Sequence, residues 1–486
     1  MTILRYLSVT IPLFVALLFS PPWVAASEAS PDDQTPADLI SAEVIRSDLT
    51  ALYNSLAAAH ANLYAHRPKA QYDEEFDALM ASVDGPMSRL DVIRLFMRFV
   101  AYGRVGHAKI DFPIPEYVAY LQQGGTLIPV DIRVEDGRVL IAHNYTTEPL
   151  LEAGHELVAI NGRSADYWLK RTGRYVSAER PYMSHAQLEN MFPRIFWLSE
   201  GQVDSFRFTV KTAEGEKTLV AGAVPVMTIE EHKGSLESVT HKREANMLQE
   251  GVAYLRPGPF YAMGDKDTLD TFTAFIDESF RTFIEACADN LILDLRNNPG
   301  GDNSFSDPVV AWFADKPFAF ASRFEVKASP QTRMVLKDLA GQYPDGLSAG
   351  MYALIQKFPD GDVFDFHIPD TPPRADGFKG RVWVLINRHS YSNATVTAAI
   401  IKDYGFGILV GEETSDLPTS YASSAQFTLP QTGIVVTYPK AYFVRPSGKE
   451  SLSGVMPDIV TAEPLPGAEA DAVLSVLLEK ITADTH

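Results

Sequence analysis

Val382-Trp-Val-Leu-Ile386, followed by Asn387-Arg-His-Ser-Tyr-Ser-Asn-Ala394 and a run to Tyr404, decides how this chain folds. The first five residues are apolar and bulky, the pattern of a short buried strand. The polar turn after them delivers Ser392 to the start of a helix spanning Asn393 to Tyr404, with a stop at Gly405. A serine there either caps the helix with its hydroxyl or stands at a sharp strand-to-helix turn as a nucleophile. In the second case the Asn393 N–H and the helix dipole favour a nearby anion.

Upstream, Leu291-Ile-Leu-Asp-Leu-Arg296 is a second apolar strand, running into Asn297-Asn-Pro-Gly-Gly301. Gly300 and Gly301 allow the backbone N–H groups to face a cleft without a Cβ in the way, and such donors can hold an oxyanion. If the two strands are parallel neighbours, both loops open at one carboxyl edge, where α/β clefts lie. Val252–Leu255, an amphipathic helix over 268–286 and Gly407–Gly411 extend the alternation, so 251–465 reads as a mixed, partly parallel α/β core with covering helices. Residues 323–375 interrupt it and read as a lid or cap. Cys287, the single cysteine, reads as a small core residue.

The flanks differ. Residues 1–26 combine Arg5, an apolar run from Leu7 to Phe19 and Val24-Ala-Ala26, the design of a cleaved secretory signal. This implies an exported protein, periplasmic or secreted, with no membrane span after signal removal. Residues 27–37 read as a tether. Ile45, Leu49, Leu52 and Leu56 share a helical face, and Ser88 to Asp91 opens a second helix, giving a helical domain over 38–119. Residues 120–228 carry hairpin signals at Glu135-Asp-Gly137 and Asn161-Gly162. The charged stretch 229–250 reads as a linker and 466–486 as a terminal helix.

A net charge of −20 gives nothing to gain from phosphate contacts, which argues against nucleic acid as a partner. The histidines lack paired metal spacing, so neither a metal nor any other cofactor is expected.

Asp294-Leu-Arg-Asn-Asn-Pro-Gly-Gly301, Tyr391-Ser-Asn-Ala394 and Val410-Gly-Glu-Glu-Thr414 together resemble the tail-specific (C-terminal processing) protease family, which includes the tricorn core and the interphotoreceptor retinoid-binding protein. Residues 128–162 are similar to the PDZ domain that precedes that core. The resemblance implies a crotonase-like core and a serine peptidase acting on a polypeptide, as an unstructured chain or a C-terminus. Members with a Ser–Lys dyad carry the lysine soon after the G-E-x-T strand; here Ser415–Tyr421 has none. The tricorn-like branch uses Ser, His and Glu, which implies Ser392 as nucleophile, His107 as base and Glu450 as the third member. Gly300, Gly301 and Asn393 would then form the oxyanion hole. The competing reading is a non-catalytic binding protein for a lipophilic ligand or a peptide C-terminus on the same scaffold.

Overall fold

The computed structural model describes residues 39–264, 266–465 and 471–485; the signal and tether segments lie outside them. At its centre is a six-stranded sheet in the order Ile459–Val460, Ile408–Gly411, Arg381–Ile386, Asn290–Asp294, Val252–Arg256, Glu244–Gln249. The first five strands are parallel, and the last joins its neighbour antiparallel. Both faces are covered, which is why the strands read as unbroken apolar runs. Leu291, Leu293, Val382, Val384 and Ile386 face Phe272, Ile276, Phe280 and Trp312. Ile292, Trp383, Leu385 and Val410 face Val473, Leu477 and Ile481 of the terminal helix Ala472–Thr485. Each such buried side chain contributes about 1.5–3 kcal/mol.

Before the core stand the helices Ala42–Ala59, Lys69–Ser82 and Arg89–Tyr102. Ser88 caps the third as its sequence predicts, accepting from the Asp91 N–H at 3.2 Å. An antiparallel sheet follows, in the order Val130–Glu135, Arg138–Asn144, Glu156–Ile160, Ser205–Thr212, Gly215–Gly222, with the helix Pro181–Glu200 packed against its first strand. The overall class is thus the expected one: N-terminal helices, antiparallel β structure and a mixed α/β core.

Three local readings change. The stretch read as a linker is the helix Val226–Thr240 and the strand Glu244–Gln249. Its charges mislead because Glu230 spends its carboxylate on Arg194 and Tyr117 inside the protein. Residues 323–375 supply two strands, Arg323–Lys327 and Val363–Asp365, to a four-stranded antiparallel sheet with Ser420–Thr428 and Val435–Val444, as well as two helices. Cys287 is exposed, with φ 54°, just past the end of Leu269–Glu285, where the chain reverses.

Candidate active site

The strands Asn290–Asp294 and Arg381–Ile386 are parallel neighbours, with Asp294 opposite Leu385. Their end loops are sewn together by polar side chains. Asn387 accepts from the Asn297 N–H and donates to the Asn297 side chain, both at 3.1 Å. Ser390 donates to the Leu295 carbonyl at 2.8 Å, and the Tyr391 N–H donates to the Asn298 carbonyl at 2.9 Å. Asp294 sits beneath, accepting from Tyr254, Arg256 and Arg296. Burial alone would raise its pKa, but Arg296 and Arg256 outweigh that and hold it well below the carboxylate range.

Ser392 ends this turn with φ 50° and ψ −123°. That is a strained conformation for a residue with a Cβ, of the kind kept at functional sites. Its hydroxyl makes no capping hydrogen bond to the helix Asn393–Tyr404, so the capping role is excluded. The Ser392 N–H donates instead to Asp416 Oδ2 at 2.6 Å.

His107 reaches this point from the loop after the helix Arg89–Tyr102. The loop is fixed by a turn from Ala108 N–H to the Val105 carbonyl and by a two-way backbone bridge between Lys109 and Thr437. The imidazole lies flat on Tyr391, with centroids 5.4 Å apart and planes at 20°. Nε2 is 3.3 Å from Ser392 Oγ and 4.0 Å from Asp416 Oδ2. Burial lowers the His107 pKa below 6.5, opposed by the Asp416 charge. The ring is therefore neutral near pH 7 and free to accept a proton.

The remaining predicted residues divide. Gly301 N–H and Asn393 N–H have no acceptor among the described residues, and the helix start adds its dipole at Asn393. Gly300 does not serve as a donor: its N–H is taken by Asn298 Oδ1 at 2.9 Å, an Asx-type turn. Its part is steric, since a Cβ there would stand 2.6 Å from Asn393 N and 2.7 Å from Ser392 Cβ. Glu450 is also corrected. It is exposed and binds Arg323 and the Tyr442 hydroxyl, because the loop after Val435–Val444 turns outward there.

Two acids not singled out in the sequence face the site instead. Asp416 is buried, and burial raises its pKa against the pull of His107 and of the Leu417 and Ser392 N–H groups. Glu179, also buried, accepts from Gly106 N–H at 3.0 Å. The only sequence signal for Asp416 was an acid just after a strand end facing the cleft; Glu179, in Ser177-Ala-Glu-Arg180 ahead of Pro181, gave none. His389 is held against Glu189 at 3.3 Å, in keeping with a role in the turn. Glu412 binds Arg133 and Arg388, each at 2.9 Å, and braces the antiparallel sheet to the core.

A hydroxyl at a strained turn, a neutral imidazole beside it and two free N–H donors are the parts needed for acyl transfer. Residues 252–461 match the model of Peptidase family S41. Among solved structures the chain is similar to mature CPAF complexed with lactacystin, at 14% identity over 90% of this chain and 98% of that one, TM-score 0.62. It is likewise similar to a second structure of mature CPAF, at 14% identity over 86% of this chain and 93% of that one, TM-score 0.60. At that identity the likeness establishes the fold. No curated protein sequence matches the chain significantly.

Proposed function

Taking the S41 match over residues 252–461 as the premise, we propose that this chain is an exported serine peptidase that hydrolyses polypeptides through an acyl-enzyme on Ser392. The observation that carries the reading is His107 Nε2 lying 3.3 Å from an uncapped Ser392 Oγ.

His107 takes the hydroxyl proton as Oγ attacks the substrate carbonyl. The oxyanion of the tetrahedral intermediate is held by the N–H groups of Gly301 and Asn393. The imidazolium then returns its proton to the leaving amine, and a water admitted to the site repeats the cycle on the ester. The Asp416 carboxylate, 4.0 Å from Nε2, stabilises the charged ring while it lasts. The antiparallel sheet over 130–222 serves as a PDZ-like unit that captures a substrate end by strand addition. Among the described residues no helix is long and apolar enough to cross a membrane. Export rests on the sequence of residues 1–26.

The test is cleavage of a reduced, unfolded polypeptide by the purified mature chain. The wild type cuts it, whereas Ser392→Ala and His107→Ala do not. A wild type that leaves every unfolded polypeptide intact contradicts the reading.

A further inference from the structure

For Nε2 to accept the Ser392 proton, the His107 hydrogen must sit on Nδ1, and a buried N–H needs an acceptor. His107 Nδ1 is sealed from solvent and has no hydrogen-bond partner among the described residues. Asp416 cannot supply one. It lies on the Nε2 side, and its two oxygens are engaged by the N–H groups of Ser392 and Leu417. Glu450 points away.

Glu179 is in the right place with the right atom free. Its Oε1 accepts from the N–H of Gly106, the residue next to His107. Its Oε2 is buried and unpartnered, and lies 3.1 Å from where a Gly106 Cβ would be. Gly106 carries no side chain to come between them. The segment that carries Glu179 is held from several directions. Arg104 donates to the Glu179 carbonyl at 3.2 Å. Arg180, the next residue, grips Glu413 and the carbonyls of Thr414 and Ser415, so one short segment ties the His107 loop to the Asp416 loop. The unpartnered Nδ1 and the unpartnered Oε2, both buried beside Gly106, are the two halves of a hydrogen bond that one buried water can complete.

We propose that Glu179 is the positioning residue of this site: its Oε2 accepts the hydrogen bond of the His107 Nδ1–H through one buried water and fixes the tautomer in which Nε2 faces Ser392. The inference rests on the serine-peptidase reading above. Glu179 is pushed up to about 7 by burial and by the neighbouring Asp416 charge, against the Gly106 N–H and Arg180. Tyr391 is the other titratable group coupled to it. Ionised, it is the stronger acceptor and stabilises the imidazolium, so reactivity rises with pH through about 7. With Glu179 removed, the remaining acid limb belongs to His107, which burial holds below 6.5.

The experiment is the rate of fluorophosphonate labelling of the full mature chain between acid and mildly basic pH. Glu179→Gln is expected to label about 10²-fold more slowly above neutrality, with its acid limb moved to lower pH. Glu179→Asp should recover part of the rate and the limb near 7. A Glu179→Gln protein with the wild-type rate and limb overturns the assignment while leaving the peptidase reading intact. A wild type that labels at no pH overturns both. Should the variants fail to fold, histidine ¹⁵N NMR of the unaltered chain decides. The expected result is a His107 proton on Nδ1 with a downfield resonance that fades below about pH 7. A proton on Nε2 overturns the proposal.

Discussion

Ser392 and Ser423 each adopt a positive φ, 50° and 55°, and each meets a buried base. For Ser392 the base is His107. For Ser423 it is Lys440, whose Nζ lies 2.6 Å from Oγ. Burial lowers Lys440 to about 8, opposed by Asp302. By base and hydroxyl alone the pairs look equivalent, and the second even has the composition of a Ser–Lys dyad. The difference lies in the surroundings. Ser392 stands at a helix start with the Gly301 and Asn393 N–H groups free. Ser423 lies within a β-ladder, between the pairs Ala422–Ala441 and Ser424–Pro439. Lys440 also binds the Ser423 carbonyl at 2.9 Å, so it satisfies a backbone group that the irregular strand has turned aside. Activation of a hydroxyl is half of acyl transfer; a place for the negative charge is the other half.

The largest expected effect is at Ser392, the proposed nucleophile. Ser392→Ala should slow fluorophosphonate labelling by about 10⁴-fold or more, whereas Ser423→Ala should leave the rate unchanged. Loss of labelling in the Ser423 variant would break the comparison. Next comes the anion pocket. Gly301 has φ 140°, and a Cβ there would fall 2.1 Å from the Phe260 carbonyl oxygen. Gly301→Ala should therefore displace the donor and reduce labelling about 10²–10³-fold, measured on protein shown by circular dichroism to be folded.

The smallest effect concerns Lys440 and bears on stability. In the folded chain it loses its proton at about 8, and in the unfolded chain at its ordinary 10.5. Between these values the unfolded state binds more protons, so folding becomes more favourable as pH rises. Urea unfolding should show the stability of the wild type relative to Lys440→Met increasing by roughly 2–3 kcal/mol across that window. A flat difference would mean that Lys440 keeps its charge when buried.

The core was legible in the sequence because its signals are local. Apolar runs bounded by Asn-Pro-Gly-Gly and by a helix start give both strand ends, and parallel pairing brings them together. His107 was legible only through family resemblance, since nothing near Gly106-His107-Ala108 announces a base for a hydroxyl so far along the chain. Glu450 misled because a motif gives spacing but not the direction in which a loop turns. Asp416 and Glu179 were missed for a related reason: each is an acid in a short polar stretch, and only tertiary packing strips it of water and brings it against the loops that carry Ser392 and His107. Gly300 shows the same limit on a smaller scale, where the side chain of Asn298, two residues earlier, claims the N–H that the glycine seemed to offer the cleft.

The most direct test of the central claim is mass-spectrometric mapping of the wild-type mature chain after reaction with a fluorophosphonate at neutral pH. One adduct on the peptide carrying Ser392 is the predicted result. An unmodified Ser392, with or without an adduct on Ser423, would contradict the account.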